Sequence, residues 1–140
     1  MDYERPVGAS DETVAAVGTL SEALEYVERA RGHLYAAHQL LGHADLTFGD
    51  AADELRAAGN AEAADRVDRD VVGRNVLDGR WTFQVVDEFD ATYYAPVAEC
   101  VRWVEGELMD GRRHVYEAEM KDRRRTAGRP HHERRPPDRR

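Results

Sequence analysis

The sequence predicts an all-α protein: a compact helical bundle of about five helices, two long and three shorter, with a disordered Arg- and Pro-rich C-terminal tail. Two apolar stripes and the lack of any paired strand pattern carry that reading. The first stripe comprises Leu20, Ala23, Leu24, Val27, Ala30, Leu34, Ala37 and Leu41, spacings that keep one helical face apolar. The second comprises Val97, Val101, Val104, Leu108, Val115 and Ala118. A helix with a single apolar face has to bury it against neighbours, so such helices imply a bundle. The expected organisation is a flexible lead-in over residues 1–10, one helical domain over 11–125 and a disordered basic tail over 126–140.

Taken in order, Pro6 and Gly8 mark the lead-in, and residues 11–17 add a short helical turn. The first long helix then starts at a cap supplied by Thr19 or Ser21, with Glu22 and Glu25 where the helix dipole favours acid. Gly42 or His43 is its expected stop. A second helix runs from Asp45 to about Ala58, apolar at Phe48, Ala52 and Leu55 and stopped by Gly59. Asn60 caps a third, with Ala64, Val67 and Val71 inward and Asp78-Gly79 closing it. The stretch from Arg80 to Tyr94 fits a strand over Trp81, Phe83 and Val85, and a helix over Trp81, Val85 and Phe89. A lone strand would leave its backbone unpaired, so helix is the expectation. Pro96 starts or kinks the last long helix, which runs to about Arg125.

Charge divides the chain unevenly. Up to Lys121 there are 25 Asp and Glu against 12 Lys and Arg, a net of −13; beyond it, 8 Arg against 3 acids leave +5. An acidic body repels phosphate, so neither nucleic acid nor an anionic membrane is an expected partner of the folded part. No apolar run approaches the ~18 residues of a membrane span, and the N-terminus lacks a signal-peptide core. One cysteine, Cys100, excludes an internal disulfide and reads as a small buried apolar residue. A cytoplasmic location follows as an expectation.

Four side-chain groups invite a chemical reading. His33, His38 and His43 step by five residues, about 140° apart around the helix, so they cannot share an ion. Glu28, Arg31, Tyr35 and His38 lie along one flank, either as a polar seam or as a small ligand pocket with His38 as acid/base and Arg31 as anion clamp. Asp110, His114 and Glu117, spaced four and three apart, offer one face to a divalent metal completed by Glu28 or His38. The same spacing serves equally for a solvated charged face. Trp81, Phe83, Phe89, Tyr93, Tyr94 and Trp103 either fill the core or form an interface.

No catalytic set is complete. Cys100 and His114 are about 21 Å apart along a helix axis; of the two serines, Ser10 lies in the lead-in and Ser21 at a helix start, and no Gly-rich phosphate loop is present. The leading expectation is therefore a non-catalytic helical protein without a cofactor that acts through protein–protein contact, as a homodimer through the aromatic segment and a long helix. The rival is a small-molecule- or metal-binding bundle, an enzyme among its forms, using a polar seam between the first and last long helices.

Overall fold

A computed structural model describes residues 3–137. Among them the chain is all-α: α1 (Asp11–Ala57), α2 (Ala61–Asp70), α3 (Thr82–Phe89), a π-helical turn (Asp90–Tyr94), α4 (Ala95–Met109) and α5 (Val115–Arg124). No strand occurs among the described residues. The chain forms two compact units, one from residues 1–26 with 97–140 and the other from residues 27–96. They are called here the terminal unit and the central unit.

α1 is 47 residues long, about 70 Å of helix. It absorbs three predicted pieces. The start lies at Ser10, whose Oγ accepts from the Thr13 N–H at 3.1 Å, and not at Thr19, whose hydroxyl bonds back to the Ala15 carbonyl. Gly42 does not stop the helix, because a stop needs the chain to turn left-handed, and Gly42 is not among the positive-φ glycines. Gly59 is, at φ 87. There the Asn60 N–H reaches the Leu55 carbonyl at 2.8 Å and the Gly59 N–H the Arg56 carbonyl at 3.1 Å, the paired bonds that close a helix end.

α2 ends at Asp70, earlier than expected, and its exit is held from α1: Asp45 accepts the Gly73 N–H at 2.7 Å. Residues 82–89 are helical as predicted, and the Gln84 side chain accepts the Trp81 N–H at 2.7 Å. Residues 82–109 then run on without a break through the π turn. Pro96 explains the turn's place. Its ring clashes with the carbonyl four residues back in a regular α-helix. The wider π turn, in which the Ala95 N–H bonds the Asp90 carbonyl, moves that carbonyl aside.

The predicted last helix is two. Asp110 (φ 51), Gly111 (φ 72) and His114 (φ 60) all turn left-handed between α4 and α5, and Asp and His are among the residues that tolerate this. The break moves the inward face: Met109 is fully buried, whereas Leu108, expected inside, is 47% exposed. Cys100, expected buried, is exposed.

The core of the terminal unit is Val14, Val17, Met109 and Val115, with Ala9 and Val104 packed on it. In the central unit Ala52, Ala64, Thr82 and Val86 are buried. The stripe from Leu20 to Leu41 departs from expectation. Leu20, Leu24, Val27 and Leu34 are half-buried, while Ala23, Ala30, Ala37 and Leu41 are exposed. Among the described residues the stripe is only partly covered. From Arg125 on there is neither helix nor strand up to residue 137, and Arg135 pairs with Glu4 at 2.7 Å. The expectation for 138–140, like that for residues 1 and 2, lies outside the described residues.

Two glycines in α1 test the packing in opposite directions. A Cβ on Gly18 would stand 2.9 Å from Cβ and Cγ of Tyr116, whereas one on Gly42 would meet nothing within 4 Å. Gly42→Ala is expected to raise stability by about 0.5–1 kcal/mol through helix propensity. Gly18→Ala carries the same gain, and the clash outweighs it. Thermal melts that rank Gly18→Ala above the parent would contradict the Tyr116 contact.

Candidate functional site

The flank from Glu28 to His38 lies in the central unit, and most of it faces the π turn. Arg31 grips Asp90 with two bonds, Nε to Oδ1 at 2.8 Å and a terminal nitrogen to Oδ2 at 3.1 Å. The Tyr35 hydroxyl donates to the same carboxylate, and Tyr94 donates to Glu28. The Arg31 guanidinium also lies over two rings, 4.1 Å from the Tyr94 centroid and 5.3 Å from that of Tyr35, within cation–π range. His38 Nδ1 is 2.7 Å from the hydroxyl of buried Thr82. Every predicted member of this group therefore has a partner on the 82–94 segment. Asp90 and Thr82 are the members that the sequence did not offer. Only the fold brings them beside α1.

Electrostatics follow the contacts. The Arg31 hydrogen bonds, then that from Tyr35, hold the Asp90 carboxyl below its ordinary 3.8. Asp90 in turn pushes the Tyr35 hydroxyl and the Arg31 guanidinium up. A carboxyl depressed on folding adds stability that is present above its unfolded pKa and lost as pH falls through the folded one. The central unit is thus expected to lose stability below about pH 4, and Asp90→Asn to lower the melting temperature at neutral pH and flatten that acid limb. Identical acid limbs for the two proteins would exclude this role.

In the terminal unit the structure gathers a different set from the predicted Asp110, His114 and Glu117. Asp110 sits exposed in the turn after α4. His114 stands at the start of α5 and Glu117 in its first turn, with Nδ1 and Oε1 3.2 Å apart. The third group is Glu25 of α1. One donor atom each from Glu25, His114 and Glu117 lie within 4.8 Å of one another. His114 and Glu117 also line a cavity of about 10 Å³ with Ser21 and Glu105, and a larger one of about 650 Å³ with Tyr3, Met120 and Lys121. Glu28 and His38, considered as completing ligands, belong to the central unit. Glu25 carries no sequence signal for this part, because its nearness depends on how α5 packs.

The aromatic group disperses. In the central unit Phe83 and Tyr93 are exposed, while Trp81, Phe89 and Tyr94 are half-buried. Trp81 meets Phe83 edge-on, and Phe89 meets Tyr93. Trp103, in the terminal unit, is 65% exposed. A groove of about 230 Å³ lies beside the segment, lined by Leu34, Ala37, Leu41, Leu77 and Val85 among others.

One face of α1 stays partly uncovered. Leu20, Val27, Leu34, Leu41, Phe48 and Leu55 repeat every seven residues, and so do Ala23, Ala30, Ala37, Ala44, Ala51 and Ala58. The seven-residue period carries on through Gly42, a continuity that ending the stripe at Leu41 had hidden. Compared with known proteins, the chain matches no family model, no curated protein and no solved structure.

Proposed function

We propose that the protein acts through protein–protein contact, as a homodimer whose seam is α1. The observation that supports this reading most is the double heptad row. A large residue alternating with alanine on a seven-residue period is a coiled-coil pattern, sustained here far beyond the three or four heptads that make it informative. Ala30 and Ala37 are exposed, as are Leu40 (70%), Leu41 (45%) and Phe48 (47%).

A second copy is the fitting occupant because the two rows complement each other. In an antiparallel pair the large row of one helix faces the alanine row of the other, and alanine lets the backbones approach. A parallel pair would instead stack large on large and leave alanine facing alanine. Taking about 150–250 Å² for a fully exposed large side chain, Leu40, Leu41 and Phe48 of α1 present roughly 300 Å² per copy. That is over a third of the ~800 Å² per partner of a standard interface, before the alanine row is counted.

Size-exclusion chromatography with light scattering at micromolar concentration tests the reading, and a clean monomer would sink it. Salt gives a second handle. Two copies of net charge −8 repel at long range, and salt screens that repulsion while leaving apolar burial intact. Association is expected to tighten between about 0.05 and 0.5 M salt. Weakening over that range would point to a seam held by ion pairs.

A further inference from the structure

We infer that Glu25, His114 and Glu117 form a binding site for one divalent first-row transition cation in the terminal unit. The three donors come from two helices distant in sequence, and one of them is an imidazole, so the set is more than a crowded acidic surface. One imidazole nitrogen and two carboxylate oxygens suit zinc, manganese, iron, cobalt or nickel better than calcium, which prefers six to eight oxygens. Donors on one ion at about 2.1 Å each stand up to about 4.2 Å apart. The present spread of up to 4.8 Å closes by small rotations of Glu25 and Glu117, both of which are exposed.

Two further features belong to the same place. The small cavity beside His114 and Glu117, about 10 Å³, is the size of a single water or ion. Buried Glu105 lines it, with Arg113 Nε 3.9 Å and Ser21 Oγ 3.5 Å from its carboxylate. This carboxylate, 6% exposed, adds a further negative group beside the cavity that a cation there would face. Three protein ligands also leave a coordination position open. The 650 Å³ cavity that shares His114 and Glu117 gives a water or an anionic ligand access to it.

Calorimetric titration of the full chain with zinc chloride, repeated with cobalt(II) for its visible absorption bands, tests the site. One equivalent should bind. Glu25→Gln and His114→Gly should each weaken binding roughly tenfold or more; glycine keeps the left-handed backbone at 114, and circular dichroism verifies the fold of both variants. Asp110→Asn should bind as the parent does. His131 and His132 offer a competing imidazole pair, so the variant with both replaced by alanine is titrated alongside. Retention of binding in that variant supports the inference. Loss there with retention in Glu25→Gln and His114→Gly overturns it, as does no binding by the parent. Oligomeric state is read separately by light scattering, so the outcome does not depend on the dimer.

Discussion

Ala37→Glu is expected to convert the proposed dimer to a monomer without loss of helix. In a single copy Ala37 is exposed, and glutamate is a good helix former, so the chain folds as before. In the seam the new carboxylate faces apolar side chains. At about 3 kcal/mol for each unpaired buried charge, and one from each copy, the dissociation constant rises by roughly four orders of magnitude. Light scattering reads the mass and circular dichroism the fold. A variant that keeps the mass of a dimer would show that copies meet elsewhere.

Met109→Ala is the largest expected loss of stability. The side chain is fully buried against Val14, Val17 and Val115, and truncation removes its transfer energy and opens a cavity. The cost is about 3 kcal/mol, read as a lower urea midpoint at unchanged slope. Leu108→Ala, one residue earlier and half-exposed, should cost less than about 1 kcal/mol. The reverse order would restore the inward face that simple periodicity assigns.

That pair shows where the sequence is legible and where it stops. The helices themselves are local: apolar periodicity, Gly59 as a stop, and the helical preference of 82–89 over an unpaired strand, although the first cap is Ser10 and not the expected Thr19 or Ser21. Breaks are harder to read. Gly42 resembles a stop and is none, while Gly111 looks like a gap in a stripe and ends a helix. Glycine permits a left-handed turn without requiring one, and the surrounding packing decides. The candidate site divides the same way. Glu28, Arg31, Tyr35 and His38 were legible as a polar flank because helical spacing places them together. Asp90, Thr82 and Glu25 were not, since their proximity comes from tertiary packing. The alanine row was in plain view, and its exposure was not, because burial belongs to the folded chain.

A π turn is an α-helix carrying one surplus residue, so the stretch from Asp90 to Tyr94 behaves as an insertion already absorbed. Deleting Thr92, which is exposed, would remove that surplus and bring the Pro96 ring back against the carbonyl four residues before it. The same deletion would rotate Asp90 against Tyr94, and one of the two grips on α1, at Arg31 or at Glu28, would have to let go.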